Sequence, residues 1–245
     1  MTLRDLLNKI LWQTGHKLVK IGGNTLGGVD WMVDTKVLLD PKRNPVCVDV
    51  GVNYGQTTTA LLDLFPDAKI FGFEPAPELF ARVQKRFANN ASITLFPCAL
   101  GDVSDRRVLN VYEHAGANTL LAPDSNRQKL TDLSAEDPVV AKPEVAVETL
   151  DHCLAKYNLE AIDLLKIDVQ GYELKVLKGA AELLNRHAIR LILTEVLFVS
   201  AREEQPTLAD LYNYLAPFGF RLAGFYNRNY SGKTFTFCDV LWERV

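Results

Sequence analysis

The sequence predicts an α/β protein with a mostly parallel seven-stranded sheet and a C-terminal antiparallel hairpin. Three observations carry this. From Pro45 onward, short apolar runs alternate with stretches of helical spacing, the pattern of βαβ units. Some of these runs, such as residues 164–167 with three apolar residues of four, are dominated by apolar side chains, as in strands buried on both faces. Near the end, two strand-like segments flank a polar, turn-rich stretch at 226–233, which favours a hairpin.

Taken in order, residues 1–15 place Leu3, Leu6, Leu7, Ile10 and Leu11 at helical spacing with polar residues between them. This predicts an amphipathic helix ending near Gly15, and not a signal peptide. Packing on its own domain, a homodimer contact, a cap over the substrate and a membrane-surface contact are all roles open to it. Residues 1–44 are read as an N-terminal helical or irregular extension, and residues 45–245 as the main domain. Within that domain, 46–50 is the first strand and 56–64 the helix after it. Residues 70–73 form a second strand, and 77–89 a second helix opening with proline in its first turn. A third strand covers 93–98. The rhythm then breaks, with a strand at 108–112 and a polar run at 124–137 read as a mobile loop or a short helix. Residues 144–147 read as an edge strand, 149–157 as a helix, 164–167 as a strand and 172–178 as a helix. A strand at 191–196, a helix at 207–215 and strands at 221–225 and 234–242 complete the order.

Composition excludes several classes. The 245 residues fit one large domain with additions, at roughly 150 residues per domain. With 48% apolar and 23% charged residues, the chain is too apolar for a disordered one. A net charge of −3 argues against nucleic acid as a partner, which would call for a surplus of Lys and Arg. No apolar run approaches the ~20 residues of a transmembrane segment. The four cysteines, 47, 98, 153 and 238, are far apart and form no CxxC pair, which points to reduced thiols in a cytoplasmic protein.

The chemistry gathers at strand ends. The first strand ends in Asp49 and runs on into Gly51, Asn53, Tyr54, Gly55 and Thr57, a glycine turn where backbone can approach a ligand and a helix offers free N–H groups. It lacks GxGxxG, and no GK[ST] follows, so neither dinucleotide nor P-loop binding is indicated. About twenty residues later, Glu74-Pro75 ends the second strand, where a carboxylate accepts from both hydroxyls of a ribose. Ala99, Leu100 and Asp102 follow the third strand, where small residues leave room for the nucleoside's base and Asp102 can accept from an exocyclic amine. Lys166 and Asp168 flank the end of the 164–167 strand, and Glu195 ends the next. Such charges beside buried strands are costly unless paired or used.

These stretches, VDVGVNYG (48–55), FEP (73–75), ALGD (99–102), TLD (149–151), LKIDVQGYE (165–173) with Gly179, and Glu195, resemble the FkbM-type methyltransferases. They occur in that family's order across residues 46–196, and LKIDVQGYE is the most specific. The family usually has alanine where Val52 stands. The resemblance implies a class I methyltransferase Rossmann-like fold and S-adenosyl-L-methionine as cofactor. It also implies methyl transfer to a hydroxyl oxygen of a sugar, glycan or natural-product acceptor. By the same resemblance, Asp49, Gly51 and Asn53 contact the methionine end, Glu74 the ribose and Asp102 or its neighbours the adenine, with Asp168 beside the methyl.

Asp168 is the first candidate for general base, oriented by Lys166; Glu195 is the second and His114 the third. Asp168, Glu173 and Glu195 can alternatively be read as oxygen ligands of a divalent cation. Asn118, Thr119 and Leu120 are read either as an acceptor wall or as a plain turn. The aromatics of 225–230 are read as a sugar-stacking surface or a hairpin loop. A nicotinamide oxidoreductase would share Glu74 but needs the absent GxGxxG; a non-catalytic cofactor-binding module is the other alternative.

Overall fold

The computed structural model describes residues 26–39, 44–123, 138–157, 159–199 and 202–245. The amphipathic helix expected at 1–15 and the polar run 124–137 lie outside the described residues.

Helix α1 (Trp31–Leu38) comes first, capped by the Asp30 carboxylate, which accepts from Met32 N at 2.8 Å. Strand β1 (Val46–Val50) leads to α2 (Gln56–Leu64), β2 (Lys69–Phe73) to α3 (Pro77–Arg86), and β3 is Ile93–Phe96. Short strands follow: β4 (Ala99–Leu100), β5 (Asp105–Val108), β6 (Val111–Tyr112), β7 (Val139–Ala141) and β8 (Glu144–Glu148). Then come α4 (Leu150–Ala155), β9 (Ile162–Ile167), α5 (Glu173–Lys178), α6 (Ala181–Asn185) and β10 (Ile189–Leu197). Helix α7 (Leu208–Leu215) precedes β11 (Phe220–Ser231) and β12 (Thr234–Arg244).

The main sheet has seven strands in the order β3-β2-β1-β9-β10-β12-β11. Its first five are parallel, and β12 runs antiparallel to both neighbours. Strand order reverses at β1, so the crevice outside the carboxyl ends of β1 and β9 is the place where such a sheet binds ligands. Side-chain alternation divides the core. Val48, Val50, Phe73, Leu165, Ile167 and Ile192 pack on the face that carries α4 to α7. Cys47, Leu61, Leu164, Leu191, Leu241 and Trp31 pack on the other. Each such aliphatic side chain contributes about 1.5–3 kcal/mol on full burial.

Four differences from the sequence reading have physical causes. The helix Trp31–Leu38, inside the stretch read as an extension, shares the second core; its signal was Asp30 before an apolar run. The segment read as an edge strand at 144–147 is instead the middle strand of a separate three-stranded sheet, β4-β8-β5. The strand expected at 108–112 is broken into β5 and β6, which belong to different sheets. The polar stretch 226–233 continues β11 to Ser231, because register shifts at 222/224, 226/229 and 229/230 break the period-two pattern. Only Gly232-Lys233 turns, with Ser231 opposite Thr234. Tyr226 in that stretch is buried and donates from its hydroxyl to Asp34 Oδ2 at 2.8 Å. No helix among the described residues is long and apolar enough to cross a membrane.

Candidate active site

A cleft of about 670 Å³, counting its open mouth, lies at the switch point between β1 and β9. Its floor is the turn after β1. Gly51 N and Val52 N donate to Phe73 O at 3.0 and 3.1 Å, and Asp168 N donates to Val50 O at 3.1 Å, tying three strand ends together. Gly51 has φ +83°, and a Cβ there would collide with the Asp168 carbonyl oxygen. Asn53 takes φ +54°, a conformation asparagine tolerates better than most residues.

Glu74 enters the cleft from the end of β2. Its Oε2 accepts from Asn53 N at 2.8 Å and its Oε1 from Ala76 N at 2.9 Å. Burial raises its pKa and the two amide bonds oppose the rise. Each carboxylate oxygen keeps a second lone pair for a ligand hydroxyl. Pro75, Ala99 and Leu100 line the wall beyond it, and Asp168 the opposite side, with a side chain 43% exposed. Asn118, Thr119 and Leu120 also line the cleft.

Other expected residues stand behind the cleft and not on its wall. Asp49 is fully buried; its Oδ2 accepts from Thr58 Oγ1 at 2.7 Å and its Oδ1 meets Lys166 Nζ at 3.1 Å. Lys166 also donates to Gly51 O at 2.9 Å and lies 3.7 Å from Asp168 Oδ2. Burial alone would lower the ammonium's pKa, but Asp49 and Asp168 hold it above the ordinary lysine value. Gly55 caps α2 in the left-handed conformation, and the Tyr54 carbonyl accepts from Arg86 at 2.7 Å. Thr57 is half-buried on α2 while its neighbour Thr58 turns to Asp49; the helix phase decides between them. Asp102 pairs with Lys175 at 3.3 Å.

Glu195 is nearly buried and its Oε2 accepts from Gln170 Nε2 at 2.7 Å. Burial, then Asp168 and Glu173, raise its pKa well above the carboxylate range. Glu173 accepts from Val169 N and Gly171 N, both at 3.1 Å, and burial pushes it up to about 7. Glu173 thus holds the loop's backbone, and no group of three metal-ligating side chains forms among the described residues. His114 is exposed on the irregular segment.

Sequence reasoning missed Thr58, Gln170 and Asp239, which faces Glu195 across the β10–β12 ladder and accepts from Asn227 Nδ2 at 2.6 Å. Burial, and then Asp168, push Asp239 up to about 6. It also gave no role to the Tyr172 hydroxyl, which is buried without a hydrogen-bond partner among the described residues. The TLD motif has a structural use: Thr149 caps α4, and the Asp151 carboxylate accepts from Glu182 N and Leu183 N at the start of α6.

This strand order, with a glycine turn after β1 and a carboxylate closing β2, defines a class I S-adenosylmethionine-dependent methyltransferase. Residues 49–222 match the methyltransferase FkbM domain, and the chain belongs to that family. It is 33% identical over 185 residues to the 2-O-methyltransferase NoeI of Sinorhizobium fredii, covering 74% of this chain and 75% of that one. It is 27% identical over 155 residues to the 31-O-demethyl-FK506 methyltransferase FkbM of Streptomyces tacrolimicus, covering 56% of this chain and 60% of that one. The METTL16 methyltransferase domain shares the fold at a TM-score of 0.50 and 12% identity, over 99% of this chain and 79% of that one.

The cleft suits the cofactor's chemistry: a glycine that leaves no room for a Cβ, and a carboxylate with free lone pairs.

Proposed function

We propose that this enzyme methylates a hydroxyl oxygen of a polyhydroxylated acceptor, a sugar, glycan or natural product. The observation that carries this is Asp168: a half-exposed carboxylate on the cleft wall, beside Gly51 and backed by the buried Lys166. The relatives NoeI, a 2-O-methyltransferase, and FkbM, a 31-O-demethyl-FK506 methyltransferase, support the same reading.

S-adenosylmethionine supplies an activated methyl group when bound. In this proposal Gly51 and Asn53 offer backbone to its amino-acid end, Glu74 accepts from the ribose hydroxyls, and Ala99 and Leu100 face the base. Pro75 stiffens the exit from β2. Tyr54, Gly55, Thr57 and the Asp49–Lys166 pair act indirectly, by fixing the turn and the start of α2. Asp168 takes the acceptor proton as the oxygen attacks, a contribution of about 10²–10⁴-fold for such a base. Alignment of the two reactants in the cleft contributes on the order of 7–11 kcal/mol more. Lys166, 3.7 Å from Asp168 Oδ2, orients it; Glu195 and Gln170 stand beside it.

The test is transfer of labelled methyl from S-adenosylmethionine to a panel of glycosides, glycolipids and polyketides, with the product's linkage read by mass spectrometry. Label on oxygen supports the proposal; label on nitrogen or carbon alone refutes it.

A further inference from the structure

A second groove opens beside the cleft, with a volume of about 1290 Å³ counting its mouth, roughly twice that of the cleft. Leu79, Ala115 and Asn118 line both, so the two form one continuous depression. The rest of the groove is built from the turn after β1, the first turns of α3 and the β6–β7 ribbon. At the junction, Thr119 follows Asn118 and donates from its hydroxyl to Gln170 O at 2.9 Å, in the loop that carries Asp168. A long molecule with one end at the Asp168 wall can therefore continue past Asn118 into the groove.

The lining has a definite chemistry. Tyr54 supplies an aromatic face: it is 42% exposed, yet it is held in place. Its carbonyl accepts from Arg86 Nη1 at 2.7 Å, and the Arg82 guanidinium stands 5.9 Å from the centre of its ring. Arg82 and Lys142 bring two cations to the lining, and Glu78 and Glu113 two carboxylates. All four are exposed, and none forms a salt bridge among the described residues. Their charges cancel, so the groove has no net field to select a phosphorylated or sulfated ligand. It does offer strong donors and strong acceptors together. A neutral sugar matches both features, since its C–H face stacks on an aromatic ring and its rim of hydroxyls donates and accepts.

We propose that this groove binds the neutral glycan chain of the acceptor, stacking a sugar on Tyr54, while the reacting hydroxyl stands at Asp168. The inference rests on the O-methylation reading and deepens it, by naming a glycan as the acceptor class and adding a subsite for sugars remote from the reacting one. Contacts with such remote units raise kcat/KM without touching the reacting atoms.

The test is an array of neutral, sulfated and phosphorylated oligosaccharides, with single-sugar glycosides of the same terminal residues, probed with protein saturated with S-adenosylhomocysteine. The parent retains neutral oligosaccharides more tightly than the matching single-sugar glycosides. Arg82→Ala and Glu113→Ala each weaken retention of the oligosaccharides about 3- to 10-fold, the loss of one hydrogen bond. Neither changes the affinity for S-adenosylhomocysteine, read by calorimetry, or for the single-sugar glycosides, so a general disturbance of the fold is distinguished from loss of the subsite. A parent that retains no neutral oligosaccharide, one that prefers charged glycans, or variants that both match the parent overturn the inference. The O-methylation reading then stands if label still reaches the oxygen of another acceptor. Retention of glycans with label on nitrogen or carbon alone would instead overturn that reading and leave the groove's ligand assigned.

Discussion

Asp49 and Lys166 occupy the same register position on adjacent parallel strands, and their side chains meet at 3.1 Å inside the sheet's edge. The pair sits directly under the glycine turn, since Lys166 also donates to Gly51 O at 2.9 Å. Removing one partner leaves the other charge buried without its shortest ion pair, a change that costs up to about 3–5 kcal/mol in comparable sites. Lys166→Met and Asp49→Leu are each expected to lower the unfolding free energy from urea titration by that order. The double variant is expected to recover part of the loss, because neither buried charge of the pair remains. Two single losses that simply add in the double variant would show that the charges do not interact.

Thr58 is the second support of the same carboxylate, donating to Asp49 Oδ2 at 2.7 Å in a fully buried bond. Thr58→Val keeps the shape and deletes the donor. The expected cost is about 1.5–3 kcal/mol, the range for hydrogen bonds to charged groups. Thr57→Val, one residue earlier and half-buried, is expected to change stability by about 0.5 kcal/mol or less. Chemical denaturation of the two variants separates them.

That contrast shows where sequence reading reached its limit. The βαβ rhythm and the motif order located Asp49, Glu74, Asp168 and Glu195 at strand ends, because short apolar strands announce their own termini. What an end residue faces depends on strand order and helix phase, which no local pattern contains. Asp49 reads as a ligand contact until β9 is known to lie beside β1 and to carry Lys166 at the matching position. Asp239 lies 44 residues from Glu195 in sequence and joins it only through the β10–β12 register. Glycine and proline punctuation revealed the turns, but the bulges in β11 hid a strand inside polar sequence.

Glu173 gives the stability curve a predictable slope. Its folded pKa is raised to about 7 by burial, above the value an unfolded chain would have, so the folded state holds the proton more tightly. The associated stability is fully present below the unfolded value near 4.3 and is lost as pH rises through about 7. Glu173→Gln keeps an oxygen for the amides of Val169 and Gly171 but cannot ionise. The parent's stability relative to this variant is therefore expected to fall between pH 4.5 and 7 and to stay level above that. Urea titrations at a series of pH values test it, and a difference that stays flat across this range would refute the assignment.

Glu74 links the turn after β1 to the exit of β2 through its bonds from Asn53 N and Ala76 N. Glu74→Gln puts an NH₂ group opposite one of these amides and removes the charge facing the cleft. S-adenosylhomocysteine affinity is expected to fall at least about tenfold, the scale of a charged hydrogen bond. Circular dichroism is expected to stay near that of the parent. Undiminished affinity by calorimetry would remove Glu74 from the ribose site.

Asp168→Asn separates binding from proton removal. The carboxamide keeps the side chain's size on the cleft wall, and the Asp168 N–H bond to Val50 O, which fixes the loop, is untouched. S-adenosylhomocysteine affinity should therefore change by less than about threefold. Methyl transfer should fall about 10²–10⁴-fold, the contribution of a positioned base. Lys166 loses one of its two carboxylate neighbours but keeps Asp49 at 3.1 Å, so the fold should survive. A hydroxyl acceptor with a lower pKa needs less help from a base, so the variant's deficit should shrink with more acidic acceptors of the same shape. A deficit that stays constant across such a series, with binding intact, would assign Asp168 to acceptor alignment and leave proton removal to another group.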